Sequence, residues 1–204
     1  MRAGLILNRG RGPCLALALA GLLAGFGLGS CVTPAKVESL SELAPGEMLV
    51  MGRIELLPAL AADEQKLSAL GGEQYRNRVI FALGERGLVL EKAGLGDANL
   101  ALTADLGDYF YAKRPQSAFL IYSAPHIWLD FQAQARLKLP AGLRYEFPAD
   151  AKAVYLAGIR YHRDVYNSIT KIEIVDDFKK ASELFQARFG TRITLVKAEI
   201  KQVK

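Results

Sequence analysis

Cysteine and histidine are nearly absent. The 204 residues contain two cysteines, Cys14 and Cys31, and two histidines, His126 and His162. Two thiols cannot build a disulfide framework. Two histidines with no HxH or HxxxH spacing give no metal-ligand pattern, so neither a metal nor any other cofactor is expected. Gly-x-Ser-x-Gly is missing. The Gly94-Leu95-Gly96 piece lacks the third glycine and the strand-to-helix context of a dinucleotide loop. The first 30 residues contain no acid at all.

That acid-free start is ordered. Arg2, Arg9 and Arg11 precede a run from Leu15 to Phe26 built almost wholly of Leu, Ala and Gly. A positive beginning, a short apolar centre and small residues after it make a secretory signal peptide. Leu28-Gly29-Ser30-Cys31 follows at once and resembles the lipobox of bacterial lipoproteins. The resemblance implies that the chain is cut between Ser30 and Cys31, and that Cys31 carries a diacylglycerol thioether. It further implies a mature protein anchored in the membrane of a bacterial envelope. Val32 is not the Asp that retains such proteins at the inner membrane, which favours the outer membrane and its periplasmic leaflet. Two readings compete. Pro13 to Val32 is long enough to be an uncleaved transmembrane anchor, since about 20 apolar residues span a bilayer. Against that, Gly21, Gly25, Gly27 and Gly29 each cost about 1 kcal/mol relative to Ala in a helix. An ordinary signal peptide cut near Ser30 would leave a free thiol instead.

Loss of the leader changes the charge balance. The whole chain has 26 basic and 21 acidic residues. Without the three leader arginines the excess falls to two, so the high isoelectric point is no argument for nucleic-acid binding.

The mature chain reads as a lipidated Cys31 with a tether through Gly46, then one domain over residues 47–204. Glu47–Leu57 is β-like, with Val50, Ile54 and Leu56 on one face and Arg53 and Glu55 on the other. A short helix fits between Ala59 and Leu70. Asn77–Leu83 is a second strand. The glycine-rich piece from Gly84 to Asp105 is the least readable part and fits either a hairpin of Leu88–Leu90 with Leu100–Leu102 or a mobile excursion. Further strands are expected at Asp108–Ala112, Ala118–Ser123 and His126–Phe131. Ala135–Leu139 and Leu143–Phe147 flank a Pro140-Ala141-Gly142 turn. Ala153–Arg163, Ser168–Val175 and Arg192–Ile200 complete the strands. Phe178, Ala181, Leu184, Phe185 and Phe189 make the buried stripe of one late amphipathic helix, with Asp176 or Asp177 at its start and Gly190 at its stop. The fold class is therefore mainly β, an antiparallel sandwich or partly open barrel with one late helix.

Residues 135–155, ARLKLPAGLRYEFPADAKAVY, resemble segments of small transthyretin-like and carboxypeptidase-regulatory-like domains, in which a strand, a Pro-Gly turn and an aromatic strand recur as a hairpin. The resemblance implies a Greek-key, immunoglobulin-like or prealbumin-like sandwich and carries over no functional residue. The segment 155–190 is also similar in style to small bacterial lipoproteins of unassigned function.

Chemistry-bearing residues are few. Asp176-Asp177 has the form of an acid pair for glycosidic chemistry, but adjacent acids opening an amphipathic helix are far more often caps. His162, between Tyr161 and Arg163, reads as a polar strand-end residue. Tyr109, Trp128, Arg160 and His162 are the candidates for a binding surface, since amphipathic rings beside a guanidinium suit glycan or peptide contacts. Three functions are compared on this basis. A non-enzymatic interaction or structural module recognising an envelope protein or polymer leads, followed by an envelope small-molecule or glycan binder. An envelope hydrolase comes last, because the residue sets it needs are missing.

Overall fold

A computed structural model describes residues 33–89 and 100–202. The lipobox with Ser30 and Cys31, and Leu90 and the Gly94-Leu95-Gly96 piece, lie outside the described residues.

The chain is mainly β, as the residue pattern predicts, but among the described residues both sheets are mixed and there are two α-helices. In order the elements are β1 (Thr33–Pro34), β2 (Glu47–Leu57), α1 (Ala62–Ser68), β3 (Arg78–Gly84), β4 (Ala101–Asp105), β5 (Tyr109–Pro115), β6 (Phe119–Asp130), β7 (Ala135–Lys138), β8 (Leu143–Glu146), β9 (Ala153–Arg163), β10 (Ile169–Val175), α2 (Phe178–Phe189), β11 (Leu195–Lys197) and β12 (Glu199–Gln202). A large sheet runs β1-β4-β3-β6-β8-β12, with β7 also on β6. A small sheet runs β10-β9-β2-β5, with β11 also on β9. The core between them holds Val50, Ile54, Phe81, Leu102, Leu120, Tyr145, Leu156 and Tyr161.

The two central strands of the small sheet, β2 and β9, are parallel, as are β1 with β4 and β11 with β9. The antiparallel plan is therefore corrected to two mixed sheets. Alternating side chains tell a strand which faces it has, not which way its neighbour runs.

Several local expectations change for identifiable reasons. The two strands expected around Ala124-Pro125 are one, β6. Ala124 takes φ 51°, and Ser123 and His126 stand opposite Ala82 and Ile80, so two residues, Ala124 and Pro125, face the single Phe81. That is a β-bulge, which admits a proline without ending the strand. The Pro140-Ala141-Gly142 turn makes no hairpin. β7 and β8 both lie antiparallel to β6, on its second and first halves respectively, so the turn is a step within one sheet edge. β4 pairs antiparallel with β3, and among the described residues Leu88 and Val89 belong to no strand. The last strand is split at Ala198: β11 joins the small sheet and β12 the large one.

Residues 33–46, expected as a tether, are docked on the domain. β1 pairs with β4, Ala35 N–H donates to Thr103, and Val37 N–H donates to Tyr111 on β5. Ala35 and Val37 are buried. Ser39 and Glu42 form a capping box on a short 3-10 turn. The strap thus crosses from the large sheet to the small one. The segment from β11 through Ala198 to β12 makes the same crossing at the opposite edge.

α2 covers half of the small sheet's outer face. Ala181 and Phe185 are fully buried against Leu49, Met51, Tyr155 and Ala157, while Leu184, expected in the stripe, is 40% exposed. This half-cover explains the composition of β2 and β9. Both begin as near-continuous apolar runs where the helix and the core take the two faces. Both end in alternation, Arg53 and Glu55 on β2, Arg160 and His162 on β9, where only the core face is covered.

Candidate functional site

The uncovered half of the small sheet carries a row of charged side chains placed by a bulge. On β9, Tyr155 stands opposite Met51 and Gly158 opposite Arg53, and Ala157 between them takes φ 77°. The extra residue shifts the strand's phase. Before it Tyr155 and Ala157 face α2; after it Arg160 and His162 share that outer side, while Ile159 and Tyr161 enter the core. A plain alternation would instead have kept Leu156, Gly158 and Arg160 on one face. Gly52 lies opposite the bulge, where a Cβ would come within 2.7 Å of the Phe110 ring.

The row runs across four strands. Tyr109 on β5 and Tyr155 on β9 both donate their hydroxyls to Asp177 at the start of α2. Arg53 Nη2 lies 2.8 Å from Asp177 and its Nη1 3.0 Å from Glu55. Arg160 Nε donates to Glu55 at 2.7 Å, and its Nη1 reaches Glu173 at 3.3 Å. Glu173 on β10 also meets His162 Nε2 at 3.1 Å and Lys171 Nζ. Three carboxylates thus alternate with three permanent cations, with His162 at one end.

Solvent access rises along the row, from 14% for Arg53 to 61% for Lys171. Hydrogen bonds from Lys171, His162 and Arg160 draw the Glu173 carboxyl down to about 2. At the inner end, burial followed by the Asp177 carboxylate pushes the Tyr109 and Tyr155 hydroxyls above their ordinary range. Arg160 is held above its usual value, chiefly by Glu55. Each charge is spent on a neighbour, so the row holds no activated nucleophile. Its chemistry is to lock four strands in register and to present a polar surface at its Lys171 end. A hollow of about 350 Å³ beside it is lined by Glu55, Arg160, Leu57, Asn77 and Gly107.

Of the candidate binding residues, Tyr109, Arg160 and His162 come together in this row, and Trp128 does not. Trp128 is 8% exposed on the large sheet. It is packed by Phe131 and Tyr75, with the Arg136 guanidinium 3.8 Å over its ring. Buried His126 stands beside it, its proton affinity lowered by desolvation. Asp176 serves the helix, accepting from Phe178 N–H and pairing with Lys197, while Asp177 turns back into the row. Arg53, Glu55, Tyr155 and Glu173 were missed as site residues. The alternation on β2 marked the first two as surface charges, but only the strand register brings them to Arg160.

A second feature is a cavity of about 920 Å³ between the strap and the open ends of β3, β4 and β5. Leu83, Leu100, Leu102, Ala112 and Leu120 line it together with Arg114. Arg114 is 7% exposed and donates to the Leu100 carbonyl. Burial brings its pKa down to about 10. Among the described residues no group of three or more His, Cys, Asp or Glu side chains could hold a metal ion, and no helix is long and apolar enough to cross a membrane.

No protein family, curated protein or solved structure matches this chain.

Proposed function

We propose that the protein is a bacterial lipoprotein, acylated at Cys31 and held at the periplasmic face of the outer membrane, and that it acts there as a non-enzymatic interaction module. The Leu28-Gly29-Ser30-Cys31 tetrapeptide behind a basic, apolar leader carries this reading. Two or three acyl chains, at about 0.8 kcal/mol per buried methylene, make such an anchor stable where a single chain would be marginal. Thr33, two positions after Cys31 in the sequence, is paired with Leu102 of β4. Two residues of chain reach at most about 7 Å, so an acyl group at Cys31 would hold the strap edge of the domain against the lipid surface. Confinement to that surface raises the local concentration of other envelope components, and weak contacts then suffice. Intact-mass measurement of the mature protein tests the reading. The expected mass is that of a chain starting at Cys31 plus acyl groups, with the Cys31→Ser variant remaining an unprocessed precursor. A mature chain that begins before Cys31, or one without lipid, overturns it.

A second reading, an envelope binder of small molecules, is supported by the 920 Å³ cavity with its apolar lining. Its volume lies in the range of ligand sites, and its lining suits an aliphatic chain. Decanoate should raise the melting temperature of the protein, and no shift rejects that reading.

A further inference from the structure

The small sheet ends at β10. Among the described residues β10 pairs with β9 alone, which leaves one side of its backbone without a strand. Natural edge strands are short, bulged or heavily charged, because an open edge recruits another strand. β10 is seven residues long, and two of its isoleucines, Ile172 and Ile174, are each 44% exposed. Opposite Tyr161 and Ile159 in register, they stand on the core-facing side of the sheet, beyond the cover that the large sheet provides. The sequence of the strand, Ile169-Thr170-Lys171-Ile172-Glu173-Ile174-Val175, reads nearly the same outward in both directions from Ile172. Isoleucine sits at the centre, flanked by opposite charges, with a β-branched residue at each of the next two positions on either side.

That symmetry selects an occupant. In an antiparallel pair, directly opposite residues point to the same face. A twofold axis relating two copies of one strand must therefore pass through a residue. An axis through Lys171 sets lysine against lysine, and one through Glu173 sets glutamate against glutamate. An axis through Ile172 sets Lys171 opposite Glu173 of the second copy, Glu173 opposite its Lys171, and Ile172 opposite itself. These three pairs lie in the regular part of β10, past the irregularity at Thr170.

We propose that β10 is a homodimerisation edge, joining two copies about a twofold axis at Ile172 so that their small sheets become one. The contact is isologous and closed, and so does not propagate into fibres. It also joins the two charged rows end to end: Lys171, the most exposed member of one row, meets Glu173 of the next. This inference stands whether or not Cys31 is acylated.

The test uses the full chain with Cys14 and Cys31 both changed to Ser, carrying one new cysteine. Opposed residues across an antiparallel pair have Cα atoms about 4.5–5.5 Å apart, within disulfide reach. Ile172→Cys should therefore cross-link to itself under mild oxidation. Leu184→Cys, equally exposed on α2, should stay monomeric. Sedimentation of the same chain without added cysteine should show a monomer–dimer equilibrium, and Lys171→Glu, which sets acid against acid twice, should weaken it about tenfold. Lys171 is exposed, so its replacement leaves the fold intact, as circular dichroism will verify. Cross-linking of Ile172→Cys no greater than that of Leu184→Cys overturns the proposal. So do a monomer at every concentration and a dimer indifferent to Lys171→Glu.

Discussion

Glu64→Gln is the substitution whose effect the structure constrains most closely. Glu64, on α1, forms a two-pronged pair with Arg163 at the end of β9, at 2.6 and 2.7 Å. Arg163 is 6% exposed, and its remaining donors go to the carbonyls of Pro58 and Ala59 and to Asn167. The amide variant keeps the shape and removes the charge, stranding a buried guanidinium. Breaking such a pair from one side costs about 3–5 kcal/mol. The Glu64 side chain is 20% exposed, so about 3 kcal/mol is expected, a fall in melting temperature of roughly 6–12 °C for a domain of this size. The pH dependence gives a second signature. Arg163 holds the Glu64 carboxyl below its ordinary 4.5. A group whose folded pKa is depressed contributes stability above its unfolded pKa and loses it as pH falls through the folded value. Urea unfolding should accordingly show the full deficit at pH 7, narrowing below about pH 4.5 until wild type and variant converge in acid. A deficit under about 1 kcal/mol at pH 7, or one that does not change with pH, would refute the assignment of that energy to the ion pair.

Asp177→Asn removes the carboxylate shared by Arg53, Tyr109 and Tyr155. It should cost about 2 kcal/mol in chemical denaturation, as befits hydrogen bonds to a charged acceptor, and spectrophotometric titration should find both tyrosines ionising at lower pH than in the wild type. At Ala157 the two directions of substitution should differ. Glycine relieves about 1 kcal/mol of left-handed strain and forfeits about 0.8 kcal/mol of methyl burial, leaving stability nearly unchanged. Valine, β-branched at φ 77°, should cost more than 2 kcal/mol. Equal losses for the two variants would mean that the bulge is not held at this residue.

The strands were legible where burial leaves a period. Glu47–Leu57 and Ala153–Arg163 are found at the expected bounds, and α2 follows its spacing of Phe178, Ala181 and Phe185. Their partners were not legible, because a side-chain pattern records faces and not neighbours. The parallel union of β2 with β9 depends on a long excursion through β3 to β8 that no local signal announces. The bulges at Ala124 and Ala157 were hidden because alanine at positive φ carries no compositional mark. The charged row suffered most from this. Tyr109, Arg160 and His162 were singled out singly, yet the phase shift at Ala157 decides that they share a face with Arg53 and Glu55. The docking of residues 33–46 did have a signal. Ser39-Leu40-Ser41-Glu42 has the capping-box spacing, and Val37, Leu40 and Leu43 are apolar residues that a solvated linker does not need.

The strap has a mechanical consequence. Among the described residues, a pull from the amino-terminal side is met first by β1 and the bonds of Ala35 and Val37 to Thr103 and Tyr111. Arg188 of α2 grips the same segment at Val37 and Glu38. Traction along this strand loads its bonds in shear, together, whereas traction across it would open them singly like a zip. Should they give way, the seam between the two sheets would part at that side while β11 and β12 still bridged the other. The first thing force would expose is the mouth of the large cavity, which makes the leading edge of the domain a latch.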